Sequence, residues 1–334
     1  MQDFEQMGRI EAIRSLFEGS GFEPFAPAAV QPGSGQFISE SRLLLEGIDF
    51  DLVYFPLRHL GYKSVALVTG ALYAGLAGAG SLTVVLGISA KLGFSQIKEF
   101  WEGVLVAAKE FGYKTLSLDL QPSRNGLAIS VTAGGVVPSA LSSRPAAASK
   151  DLLCVSGALG TAYLGLQVLE RGRSSFENGG SNQEELERYR MLVGSYLKPE
   201  VPACLPEALA EAGITPAAAC FVDRGLADAL LRLRRSTGLG VKVYADHIPF
   251  EGGSFELGKT LDLDPVSAAM NGGDDCRVLL VVPIGRYEAF RKDFQTFDII
   301  GHLAQSDAGA VLVSPDGLEH PVSAPGWPKQ ENTL

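Results

Sequence analysis

The chain has 334 residues, 46% of them hydrophobic and 20% charged, with a formal net charge of −10. That length exceeds one ordinary core and predicts two domains, and the composition is that of an ordered globular protein. The acidic balance excludes a general nucleic-acid binder, because phosphate backbones are held by basic surface, whereas a small anion needs only a local positive pocket.

In chain order, an acidic amphipathic pattern predicts a helix over 5–19, with Ile10, Ile13, Leu16 and Phe17 on one face. It lacks a basic n-region followed by an apolar h-region, so no secretory signal is expected. Gly21 to Gly35 is rich in proline, glycine and alanine and reads as loop; strand signals run from Phe37 to Phe50. From Ser64 to Ala90 no residue carries a formal charge, which imitates a membrane span. Five glycines interrupt that run, and Gly78 to Ser81 reads as a turn, so the expectation is a small-residue helix over 68–77, a strand over 82–88 and no membrane partner. The clearest amphipathic helix covers 95–112, where Ile97, Phe100, Trp101, Val104, Leu105, Ala108 and Phe111 recur at helical spacing and read as core. Strands follow over 114–120 and 127–136. Residues 138–150 read as a linker, dividing the chain into an amino-terminal domain over 1–140 and a carboxy-terminal domain over 141–330.

The second half interleaves strands over 151–156, 217–222, 240–244, 277–283, 296–303 and 309–314 with helices over 159–171, 183–196, 205–212, 225–236, 257–270 and 286–293. A polar loop is expected over 172–182. Interleaving of this kind argues α/β layers. Cys154, Cys204, Cys220 and Cys276 form no CxxC pair and predict reduced thiols in a cytoplasmic protein. The four histidines are scattered, and His247 reads as a turn residue. Gly157-Ala158-Leu159-Gly160 is too short for a dinucleotide fingerprint, and neither a P-loop nor a nucleophile elbow occurs. The catalytic residues stay unassigned.

An ordered set of motifs says more. Glu46-Gly47-Ile48-Asp49-Phe50 parallels E-G-V-H-F, with Asp49 at the histidine position. Leu60 to Ala66 parallels a helix start that precedes Ser-Asp, and Asp119, with Leu127 to Gly134 downstream, parallels a G-G-D-T-T strand and its successor. Arg144 and Asp151 fit R-S-G-A-K-P-G-D and run into Val155-Ser156-Gly157-Ala158-Leu159-Gly160, like V-T-G-x-L-G. Gly225 to Asp228 and Ser236 to Gly240 follow D-I-S-D-G-L and S-G-V-G, Gly272-Gly273-Asp274-Asp275 follows G-G-E-D-Y-E-L-L, and Pro325-Gly326-Trp327 stands where a glycine–aromatic lid closes the chain. From residue 37 to 330 the chain thus resembles the thiamine-monophosphate kinases of the aminoimidazole-ribonucleotide-synthetase-like superfamily.

The resemblance implies a two-domain α/β (α+β) fold. Its amino-terminal αβ domain carries a half-barrel sheet that pairs with a partner subunit's in a homodimer, and a carboxy-terminal α/β domain lies beside it. It implies magnesium and ATP, bound in a cleft between domains, with the γ-phosphoryl passing to thiamine phosphate. By position it implies nucleotide or metal contacts at Asp119, Arg144, Asp223, Arg42 and Arg224, with Asp119 the metal position. Substrate contacts fall at Glu46, Asp49, Gly273, Asp274, Asp275 and Trp327.

Phosphoryl transfer asks a protein for positioning and charge neutralisation, and magnesium takes oxygen ligands, chiefly carboxylates. This chain replaces most of the aspartates such a site uses. The expected G-D-D loop reads Pro32-Gly33-Ser34-Gly35-Gln36, a strand aspartate is Arg42, and the helix Ser-Asp is Thr69-Gly70. The glycines before Asp119 are Ser117-Leu118, and D-I-S-D reads Phe221-Val222-Asp223-Arg224. Asp119 survives, and Asp223 stands one position displaced. A guanidinium cannot ligate a cation. At about 4 Å and an effective dielectric near 20, each unit-charge pairing is worth roughly 4 kcal/mol before solvation. The replacements therefore oppose magnesium binding.

Arg42 and Arg224 fit two roles: ion pairs with Asp119 and Asp223 that fill a former metal site, or direct recognition of a phosphate or carboxylate. Arg144 reads as a nucleotide contact or an exposed linker residue, Asp274-Asp275 as a substrate loop or a polar turn, and Trp327 as a ring stacked on ligand or on a terminal loop. Three functions follow: a phosphotransferase with altered metal ligation, a non-catalytic homodimer binding a small phosphorylated or carboxylated molecule without metal, or an interaction scaffold.

Overall fold

The computed structural model describes residues 4–29, 35–177 and 183–325; Trp327 and residues 32–34 of the expected phosphate loop lie outside the described residues. The chain forms two compact units. The first comprises Met1–Arg144, Val168–Arg188 and Leu197–Thr215, and the second Pro145–Gln167, Tyr189–Tyr196 and Pro216–Leu334. Chain order alone does not reveal the return of 168–188 and 197–215 to the first unit.

The first unit opens with α1 (Phe4–Met7), α2 (Arg9–Phe17), β1 (Phe37–Leu45), α3 (Leu57–Ala74), β2 (Gly78–Ser89), α4 (Phe94–Glu110), β3 (Thr115–Ser123) and β4 (Ala128–Val136). Its sheet runs β1-β4-β2-β3, with β2 and β3 parallel and the other neighbours antiparallel. Alternation makes one face apolar: Leu82, Val84, Leu86, Leu116, Leu118, Leu120, Ile129 and Val131 are all buried. α3 packs over β1 and β4 and against α4. The helices approach so closely that a Cβ on Gly61 would stand 2.0 Å from the Phe100 carbonyl oxygen, and one on Gly103 1.9 Å from that of Arg58. On the open face Ser41 and Thr132 share a hydrogen bond of 2.9 Å, while Phe37 and Leu43 are 56% and 57% exposed.

Several boundaries depart from the sequence reading. The helix expected over 5–19 is two, α1 and α2, with Gly8 between them. α3 starts at Leu57 rather than 68, because Leu57, Leu60 and Tyr62 already contribute to the core. Gly78 to Ser81 does not turn: it opens β2, pairing Gly78 with Val136 and Ala79 with Gly135, with a register slip before Ser81. Glycines serve close strand approach there. No helix among the described residues is long and apolar enough to cross a membrane.

Beyond residue 150 come β5 (Leu152–Val155), α5 (Thr161–Glu177), α6 (Gln183–Arg188), α7 (Arg190–Leu197), α8 (Leu205–Glu211), β6 (Ala218–Val222), α9 (Leu226–Thr237) and β7 (Gly240–Tyr244). They are followed by α10 (Ser254–Leu261), α11 (Pro265–Asn271), β8 (Arg277–Val282), α12 (Tyr287–Asp293), β9 (Asp298–Ala304), β10 (Ala310–Val313) and β11 (Glu319–Pro321). α5 continues through the stretch read as the start of a polar loop, and β11 adds an unexpected antiparallel strand to β10. The second sheet is ordered β11-β10-β7-β9-β5-β8-β6. Leu153, Val155, Val241, Val243, Leu279 and Val281 centre its core, with Leu230 of α9 packed among them. β5 and β6 both run antiparallel to β8, so their carboxy-terminal ends share an edge with the start of β8. Three loops, 156–160, 223–225 and 272–276, gather at that edge.

Candidate functional site

In the first unit Asp119 lies on β3 between the buried Leu118 and Leu120, so alternation directs it to the open sheet face. Arg9 of α2 donates to its Oδ1 at 2.5 Å. The Leu120 amide (2.9 Å) and the Gln121 side-chain amide (3.4 Å) donate to it as well. Burial opposes the charge, but the hydrogen bonds from Gln121, Leu120 and Arg9 outweigh it and hold the Asp119 carboxyl below its ordinary pKa.

Arg42 does not join this group. It sits on the opposite edge strand, in register with Val131, Val84 and Leu118, and therefore on the face away from Asp119. Glu46 and Asp49 hold the turn after β1: Glu46 accepts from the Leu127 amide at 2.6 Å and Asp49 from the Leu45 amide at 2.7 Å. Arg144 donates to the Gly75 carbonyl at 3.0 Å, capping the end of α3.

In the second unit the loop edge collects Asp223, Arg224, Gly273, Asp274 and Asp275. Asp275 is buried, 3% exposed, and accepts from the Gly160 and Ala162 amides at 2.8 and 3.2 Å and from the Thr161 hydroxyl at 3.4 Å. It thereby anchors the amino terminus of α5. Burial pushes its pKa up to about 7 against the amides of Gly160 and Ala162 and the charge of Arg277. The Asp274 amide donates to the Asp223 carbonyl at 2.8 Å, and Asp274 itself holds a left-handed φ of 63°. Gly225 is required here: at φ 88°, a Cβ would lie 2.5 Å from the Met270 carbonyl oxygen.

The Asp223 side chain, 6% exposed, accepts from Arg232 Nη2 at 3.2 Å, with Arg224 Nε at 4.0 Å. Arg232 is the residue the sequence reading missed. Its Nε donates to Asp228 at 2.7 Å and its Nη2 to the Phe221 carbonyl at 2.7 Å, so it ties α9 back to the end of β6. The Asp228–Arg232 spacing of one helical turn was visible in the sequence; the reach to Asp223 needs the fold. Arg9 was missed for the same reason, since its partner lies far along the chain.

No family model matches the chain. A thiamine-monophosphate kinase of Methanopyrus kandleri is 26% identical to it over 259 residues, covering 77% of this chain and 76% of that one. The solved thiamine-monophosphate kinase of Stenotrophomonas maltophilia K279a matches with a TM-score of 0.74 at 23% identity, over 94% of this chain and 96% of that chain. In sequence and in fold the chain is similar to the thiamine-monophosphate kinases. AaThiL, solved with AMPPCP and TMP, has the same fold, with a TM-score of 0.70 at 18% identity over 96% and 97% of the two chains.

The donor set decides whether the magnesium implied by the resemblance fits. Among the described residues no group of three or more histidine, cysteine, aspartate or glutamate side chains gathers where a metal ion could be held. The two surviving carboxylates, Asp119 and Asp223, already carry guanidinium partners. These residues do not fit the metal.

Proposed function

We propose that this chain is a thiamine-monophosphate kinase-like protein that has left magnesium-dependent phosphoryl transfer and binds a small phosphorylated or carboxylated molecule without a metal. The observation that carries the reading is the pairing of Asp119 with Arg9 at 2.5 Å, an internal cation at the position where the family resemblance puts a metal ligand. Arg224, 69% exposed on its loop, supplies a second cation suited to phosphate or carboxylate. The protein works as a homodimer through the open face of the first sheet, where Phe37 and Leu43 stand exposed among serine and threonine side chains. Its free cysteines suit the cytoplasm.

The test is an assay of the full chain with magnesium, ATP and thiamine phosphate, beside melting curves with thiamine phosphate in chelator. The expected result is no thiamine diphosphate above background, and stabilisation by the anion that chelator leaves untouched. A second reading, retained kinase activity, is favoured by the 26% identity to the Methanopyrus enzyme. Magnesium-dependent turnover would establish it and overturn the first.

A further inference from the structure

The amino-terminal helices and the far ends of β2 and β3 enclose a pocket of about 480 Å³, within the range of small-molecule sites. Ile88, Leu92, Leu120 and Pro122 give it apolar walls. Phe4 adds a ring held edge-on by Phe94 at 5.6 Å, and Arg9 is its one charged residue among the described lining. None of the positions marked by the family resemblance lines it.

Arg9 spends Nη1 on Asp119. A guanidinium carries five N–H donors, and among the described residues Arg9 has no second acceptor. A ligand in the pocket therefore meets an apolar body with a cationic end. Arg9 and Asp119 together are neutral, so a bound monoanion leaves only one uncompensated negative charge there. A triphosphate would face Asp119 with no further lining cation to balance it.

We propose that this pocket binds a monoanionic carboxylate with an apolar or aromatic body, its carboxylate on Arg9 and its body against Ile88, Leu120 and Phe4. The proposal rests on the metal-free reading and narrows the ligand of that reading to a carboxylate. Asp119 competes with the ligand for Arg9 and so sets its affinity.

The test is calorimetry on the full chain in chelator with 4-phenylbutyrate, its neutral amide and ATP. Wild-type protein is expected to bind 4-phenylbutyrate, with the amide about tenfold weaker and ATP weaker still. Arg9→Gln should weaken the carboxylate about tenfold, while Asp119→Asn should tighten it severalfold by releasing Arg9. Ala90→Trp, at an exposed lining position, should block the pocket without touching the core. Carboxylate binding indifferent to Arg9→Gln and Ala90→Trp, ATP preferred in this pocket, or no binding of 4-phenylbutyrate would each overturn the proposal. Chelator-insensitive stabilisation by thiamine phosphate alone would sink the pocket assignment and leave the metal-free reading standing; magnesium-dependent turnover would remove that reading itself.

Discussion

The two units hold their carboxylates in opposite ways. Asp119 and Arg9 meet at the surface with side chains 42% and 56% exposed, and such a pair is worth at most about 1 kcal/mol. Asp223 and Asp275 are buried and gripped by an arginine and by backbone amides. Removing their partners strands buried polar groups, which is far more expensive than losing the pair. The same residue type is therefore scaffold in the second unit and an exchangeable charge in the first. The ligand contact proposed above uses the exchangeable one.

The sharpest way to break this contrast is Asp275→Ala. It leaves the Gly160 and Ala162 amides without their acceptor at the start of α5, and the expected loss is about 3 kcal/mol in urea unfolding at pH 7. A loss under 1 kcal/mol would make Asp275 as dispensable as a surface charge. Its titration gives a second handle. Burial, the leading influence, raises its pKa to about 7, above the value near 4 of an unfolded aspartate. Between those values the native state binds the extra proton, so this residue makes stability fall as pH rises from about 4 to about 7, then level off. Unfolding curves across that window should show the slope in wild type and lose it in Asp275→Asn. An identical slope in both proteins assigns it to another group.

Arg232→Met should cost about 2 kcal/mol, less than for a fully buried pair because Arg232 is 46% exposed. Adding Asp223→Asn should recover part of it, since the second change removes the stranded charge. Additive losses would mean the pair is not coupled.

Much of the fold was legible because burial leaves a local period. The aromatic stripe of α4 and the alternation along β3 and β4 required no partner to be read. What was not legible depended on distance along the chain. Gly78 reads as a turn until Val136 is known to pair with it across the strands. Gly272-Gly273-Asp274-Asp275 reads as one polar loop, yet the fold buries Asp275 under α5 and leaves Asp274 half exposed. The candidate site divided similarly. Asp119 and Asp223 were marked by motif, but alternation puts Arg42 on the wrong face for Asp119, and the partners are Arg9 and Arg232.

The smallest expected effect carries the most meaning. Arg9→Ala should change stability by about 0.5 kcal/mol or less, and the Arg9–Asp119 coupling from a double-mutant cycle should be of the same order and shrink in salt. A pair this weak costs an incoming anion little to open, unlike the Asp223–Arg232 pair, whose opening exposes a buried charge. If the cycle instead gave a coupling above about 2 kcal/mol that salt did not screen, Arg9 would be locked to Asp119 as firmly as Arg232 is to Asp223. The first unit would then hold a structural bridge, and its pocket would have no cation to offer.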